Sequence, residues 1–106
     1  MESEYAHKYF GTGNRRMQAY LDGLVKAGEG KLLKDDVECR CEAHDDYDHV
    51  RKYQIGQYPG STISLSVGMN MKRGIDKKYD GFTLGISSGT EKDAKAVIRK
   101  LERMLK

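Results

Sequence analysis

The sequence predicts an α+β fold, a four-stranded antiparallel meander with two helices packed on one face, in the order α-β-β-β-β-α. Three observations carry that expectation. Apolar residues recur at intervals of three and four near residue 20 and again at the C-terminal end, the signature of amphipathic helices. Between them, apolar and polar residues alternate with period two over several short runs. The runs are joined by segments too short for crossover helices, so consecutive strands should pair antiparallel. A chain of 106 residues fits one domain, 1–106, around one core.

Residues 3–10 carry Tyr5, Tyr9 and Phe10 and read as a helical turn or two. Gly11-Thr12-Gly13 interrupts them, so 1–13 is expected to be a loosely packed N-terminal segment. The first helix, about 14–27, places Met17, Tyr20, Leu21, Leu24 and Val25 on one face, and Gly28 and Gly30 end it. A strand at about 36–43 alternates Val37, Cys39, Cys41 and Ala43 with Glu38, Arg40 and Glu42. His44-Asp45-Asp46-Tyr47-Asp48-His49 reads as a polar loop. The strand at about 50–57 should bury Tyr53 and Ile55, with Val50 out of phase. Tyr58-Pro59-Gly60-Ser61 is a turn.

The third strand alternates Ile63, Leu65, Val67, Met69 and Met71 with Ser64, Ser66, Gly68 and Asn70. A basic loop, Lys72 to Lys78, leads to a fourth strand at about 81–87 that points Phe82, Leu84 and Ile86 inward. Thr90, followed three residues later by Asp93, opens the last helix as a capping box. Its apolar stripe is Ala94, Val97, Ile98, Leu101 and Leu105.

The formal net charge of +3 is unevenly spread: residues 1–34 carry +2, residues 35–50 carry −6 and residues 51–106 carry +7. Such a chain has an acidic pole, with Asp45, Asp46 and Asp48 at its turn, and a basic pole, and either suits a charged partner. No apolar run reaches the roughly 18 residues a membrane span needs. The acidic start, Met1-Glu2-Ser3-Glu4, does not read as a signal peptide. Cys39 and Cys41 are too close together to close a useful disulfide loop. Free thiols fit a reducing compartment, so a cytoplasmic location is expected.

Three features bear on chemistry. Cys39, Cys41, His44 and His49 are zinc-type ligands, but their spacing matches no zinc module, and strand alternation makes the cysteines small core residues. A metal is therefore not expected. Gly85-Ile86-Ser87-Ser88-Gly89 has the G-x-S-x-G pattern, yet no histidine follows it, so an esterase-like triad cannot be completed in that class's order. The phosphate-loop candidate Gly28-Glu29-Gly30-Lys31-Leu32 lacks the first glycine and the magnesium-binding hydroxyl. No cofactor motif and no catalytic constellation remain, and the chain is read as a non-enzyme.

The last helix is the strongest candidate surface. At 100° per residue, Lys95, Arg99, Arg103 and Lys106 all fall within roughly 60° of Lys92, opposite the apolar stripe. A line of cations neutralises backbone phosphates and releases counterions. Lys72, Arg73, Lys77 and Lys78 in the basic loop extend the same chemistry, and nearby tyrosines are suited to stacking on bases. Separately, Ser64, Ser66, Gly68, Thr83, Gly85 and Ser87 make the outer sheet face small and uncharged. That face suits close approach by a partner, a second copy of the chain, or the N-terminal segment itself.

The helix opening Lys92-Asp93-Ala94-Lys95, after a helix and a run of strands, is similar to the double-stranded-RNA-binding domain, whose last helix grips phosphates with lysines at its start. The resemblance implies phosphate contacts from Lys92 and Lys95. Glu91 stands where that family has a lysine, and about twenty extra residues, including a whole strand, precede the helix.

The expected function is thus a small binding module acting on nucleic acid or a nucleoprotein through the basic helix and loop. The alternatives are a protein-binding inhibitor or adaptor of the kind phages use against host enzymes, anti-CRISPR proteins among them, and a zinc-stabilised interaction domain.

Overall fold

Both helices form where their periodicity places them. In the computed structural model, which describes residues 4–41, 43, 46–70 and 79–106, helix α1 spans Asn14–Lys26 and helix α2 spans Glu91–Met104. Met17 and Leu21 of α1 are fully buried, as are Ala94 and nearly so Leu101 of α2. The Thr90 hydroxyl accepts from the Asp93 amide at 3.0 Å, the half of the capping box that the backbone needs. Before α1 the chain turns through Gly13 at φ 102°, a left-handed conformation that favours glycine. With no side chain there to cap α1, another residue must do so, and Asp80 does.

The strands are β1 (Glu4–Phe10), β2 (Gly30–Cys41), β3 (Asp46–Ile55), β4 (Thr62–Asn70) and β5 (Phe82–Ser88). They form one antiparallel sheet in the order β1-β5-β4-β3-β2. The fold is therefore α+β with two helices, as expected, but with five strands rather than four, and the chain does not run as a simple meander. The extra strand is the N-terminal segment, expected to be a helical turn in a loosely packed stretch. Glu4 to Phe10 pair with Ser88 to Phe82 without a shift in register. Nothing local forces that choice. Hydrogen bonding to a strand some eighty residues away does.

Two further boundaries move. β2 begins at Gly30, six residues before the expected start, and a bulge at Leu33 separates Leu32 from Lys34 in the register. β3 begins at Asp46, so Asp46, Tyr47, Asp48 and His49 are strand residues rather than loop. They pair with Asn70, Met69, Gly68 and Val67 of β4. Val50 is out of phase because it faces the opposite side of an unbroken strand, where it is 7% exposed.

A single buried cluster joins Tyr53, Ile55, Ile63, Leu65, Phe82, Leu84 and Ile86 of the sheet to Met17, Leu21, Val97, Ile98 and Leu101 of the helices. Both helices therefore lie on one face, α1 over β2 and β3 and α2 over β1 and β5. The cover stops short of the outer half of β2. Val37 is 55% exposed and Cys39 is exposed, although register puts them on the helix side. The expectation that Cys39 is a core residue is corrected accordingly: alternation identifies a face, and burial also needs a second layer. Among the described residues, no helix is long and apolar enough to cross a membrane.

Candidate nucleic-acid interface

The basic stripe of α2 is exposed along its whole length. Lys92, Lys95, Arg99, Arg103 and Lys106 all face solvent, the last just beyond the helix end. At 1.5 Å per residue the stripe covers about 21 Å. Its shoulders are partly neutralised. Lys95 pairs with Glu91 at 2.9 Å, and Glu102 pairs with Lys8 of β1 at 2.6 Å. Each pairing holds its glutamate below the usual carboxylate range, first through the hydrogen bond from the lysine. Lys100, beside the stripe, lies over the Tyr58 ring, 5.9 Å from its centroid.

Basic residues at a helix C-terminus often only satisfy its carbonyls. Here Arg16 of α1 takes that role. Its guanidinium donates to the Leu105 carbonyl at 2.9 Å and the Met104 carbonyl at 3.4 Å. Arg103 and Lys106 are thereby relieved of capping.

Beside the stripe, a groove of about 390 Å³ runs between β1 and α2. Tyr5, His7 and Lys8 form one wall, and Lys95, Ile98 and Arg99 the other. The N-terminal strand thus forms one wall of a groove beside two of the helix cations, a juxtaposition invisible in sequence because it depends on β1 pairing with β5.

The small-residue face is also modified by β1. Tyr5, His7 and Tyr9 share the outer side with Thr83, Gly85 and Ser87. Tyr5 stacks on His7, with centroids 5.6 Å apart, and leans over Gly85, where any Cβ would run into its hydroxyl. Tyr9 and Tyr79 join hydroxyls at 3.0 Å. Phe10 turns to the other side and stacks on Phe82. The chain's own N-terminal segment therefore occupies one margin of this face, while Ser64, Ser66 and Gly68 stay at least partly exposed.

The remaining candidates separate. Ser88 of the G-x-S-x-G pattern is buried and accepts from the Ser61 hydroxyl at 3.0 Å. Ser87 lies on the outer face opposite Tyr5 and Thr62. Asp46 and Asp48 are half-buried in β3, each engaged in interactions. His49 is bonded through Nε2 to Asp35 at 2.5 Å. Among the described residues, no group of three or more histidines, cysteines or carboxylates is arranged to hold a metal ion. Lys72, Arg73, Lys77, Lys78, Asp45, His44 and the Cys41 side chain lie outside what the structure describes.

Sequence reading missed one polar cluster, beneath α1. The buried Tyr53 hydroxyl donates to Asp22 Oδ1 at 2.7 Å, and Arg51 donates to Asp22 Oδ2 at 3.3 Å. Arg51 Nε lies 3.5 Å from Asp35, an ionic contact without hydrogen-bond alignment. Burial, and then the bond to Asp22, push the Tyr53 phenol up to about 12. Asp35 is held below the usual range, chiefly by its bond to His49 and then by Arg51. Every charge here has an internal counterpart, so the cluster fastens a helix to a sheet.

No family model matches this chain, and no curated protein or solved structure matches it.

Proposed function

We propose that the chain is a non-catalytic binding module that engages nucleic acid, or a nucleoprotein, through the outer face of α2. One observation supports this most: the five-cation stripe is exposed while the helix end it could have capped is served by Arg16. An exposed row of cations is suited to an external polyanion.

Fluorescence anisotropy with labelled duplex RNA, duplex DNA and single strands, across salt concentrations, tests the reading. Affinity should fall linearly on a log–log plot against salt. Replacing Lys95, Arg99 and Arg103 with glutamine should flatten that slope by roughly 2–3 for a duplex ligand. Unchanged affinity in the triple variant would remove α2 from the interface.

A second reading, a protein-binding inhibitor or adaptor, is favoured by β2. Leu32, Leu33 and Val37 are between 43% and 55% exposed on the edge strand that also carries Asp35, Asp36 and Glu38. Apolar side chains set among acids fit a partner with a basic, partly apolar surface. Retention of a single protein target, lost on Val37→Asp, would support that reading over the first.

A further inference from the structure

The two helices leave part of their own side of the sheet bare. On that side α1 is tied to β3 at Tyr53 and Arg51, through Asp22. Beyond Arg51 the same face continues through two more rows, Val37–His49–Val67 and Cys39–Tyr47–Met69, each crossing β2, β3 and β4. Paired residues of antiparallel strands share a face. His49 and Tyr47 stand an even number of residues from Tyr53, which the core buries, so both rows lie on the helix side. Val37 is 55% exposed, Cys39 is exposed, and Tyr47, Val67 and Met69 are half-buried. His49 is drawn back toward Asp35 by its Nε2 bond. What remains beyond it is mostly apolar, and no described helix lies over it. Three strands about 4.8 Å apart make each row about 10 Å wide, the diameter of one helix.

We propose that this bare face docks a basic amphipathic helix of another protein, which sets its apolar stripe on Val37, Cys39, Val67 and Met69 and turns its lysines or arginines to the acids around them. Charge selects that occupant. Residues 35–50 carry seven acids against Arg40, a net charge of −6, while the rest of the chain carries +9. Asp36 and Glu38 flank Val37 along β2, and Asp48 stands opposite Glu38 on β3. These three point to the other face, but neighbouring side chains of one strand lie within the Debye length of about 8 Å. A lysine or arginine stem is long enough to lie on apolar floor and carry its charge past the rim. The same field opposes a nucleic acid or an acidic helix.

The edge of β2 argues for a helix on the face rather than a strand beside it. Its register shifts twice, between Leu32 and Lys34 and between Cys39 and Cys41, and it carries Lys34, Asp35, Asp36 and Glu38. Bulges and charges are the usual means of keeping an edge from pairing with another chain. A helix needs no backbone hydrogen bonds from its host, only apolar area and complementary charge. The inference rests on the protein-binding reading above and narrows it from an exposed edge strand to one face and one kind of partner. It stands apart from nucleic-acid binding, which uses α2 at the basic end of the molecule.

The test uses labelled synthetic peptides of about 18 residues, long enough to hold a helix. One has leucines on a single helical face and lysines on the rest. A second replaces the lysines with glutamates, and a third scrambles the first so that its leucines share no face. The first should bind the full chain, and the other two about tenfold more weakly or worse. Val37→Asp should weaken the first peptide about tenfold, and because Val37 is exposed the variant should melt like the parent chain. Alkylation of Cys39, followed by mass spectrometry, should slow as the peptide saturates, a readout that needs no variant. Equal binding of all three peptides, or indifference to Val37→Asp, would overturn the proposal. Tighter binding of an extended, β-branched lysine peptide would overturn the helix and leave the protein-binding reading standing. Cys39 alkylation that is slow in the free chain, and speeded by joint replacement of Lys72, Arg73, Lys77 and Lys78 with glutamate, would show that the chain covers this face itself and would also overturn it. If no peptide binds, the docking helix is abandoned, while a protein target retained through Leu32 and Leu33 would still support the wider reading.

Discussion

Helices α1 and α2, of 13 and 14 residues, rest on the same face of the same sheet, but different forces hold them there. α1 buries two side chains, Met17 and Leu21, whereas α2 buries Ala94, Val97, Ile98 and Leu101. α1 makes up the difference with polar contacts. Asp80 accepts from the Gly13 amide at 3.1 Å and the Arg15 amide at 3.0 Å, while its own carbonyl accepts from the Asn14 amide at 3.0 Å. Asp22 ties the middle of α1 to Tyr53 and Arg51. α2 needs less help, because its apolar stripe and Thr90 cap hold it, and most of its outward charges are left without a structural task. The contrast teaches that a helix fixed by its apolar side keeps its polar side for other uses.

The sharpest way to break that contrast is to attack α2 on each side. Leu101→Ala should cost about 2–5 kcal/mol, read from urea unfolding, because it opens a cavity under the helix. Joint replacement of Lys95, Arg99 and Arg103 by glutamine should stay within about 0.5 kcal/mol. If the charge variant destabilises as much as the cavity variant, the cations are holding the fold after all.

On α1 the expectation reverses, and polar substitutions should be felt. Asp22→Ala leaves the Tyr53 hydroxyl and Arg51 short of an acceptor and should cost about 1–3 kcal/mol. Asp80→Ala removes the cap of α1 and should cost about 1–2 kcal/mol, against about 1 kcal/mol for Thr90→Ala on α2. Thermal melts of the three variants would rank them. Asp80→Ala falling below Thr90→Ala would remove the asymmetry.

Titration sharpens the same comparison with smaller effects. The Tyr53 phenol is raised in the folded protein, so its contribution is fully present below the ordinary tyrosine value of about 10. That contribution is lost as pH rises from there through about 12. Tyr53→Phe should remove this alkaline step from a stability profile. Asp35, lowered by His49 and Arg51, acts in the opposite direction. Its contribution is present above the usual carboxylate value of about 4 and disappears as pH falls below it. Glu91 and Glu102 share that sign on α2, and because they are exposed their effect should fade in salt.

Much of this organisation was legible in the residues. Ile63 and Leu65 alternate with serines, and Phe82, Leu84 and Ile86 with small residues, and all five are buried. The Thr90 cap and the five-cation stripe were readable because both are spacings within one helix. β1 was not readable, since Tyr5, Ala6, His7, Lys8, Tyr9 and Phe10 give no clean alternation and the hydrogen bonds lie with β5. Asp80 was not, because it stands far in sequence from the helix it caps. Cys39 misled for a related reason, as its alternation is genuine but no second layer covers it.

The sequence by itself determined the two helices, the inward faces of the central strands and the chemistry of the outer surface of α2. Each of these is set by neighbours within a few residues, through side-chain periodicity and local hydrogen bonds. Only the tertiary structure decided that the N-terminal segment is a strand at one edge of the sheet, with β2 at the other, and that Asp22, Arg51 and Tyr53 form one cluster. Those features depend on partners distant along the chain, and backbone groups or charges take such partners only once a shared core has brought the elements together.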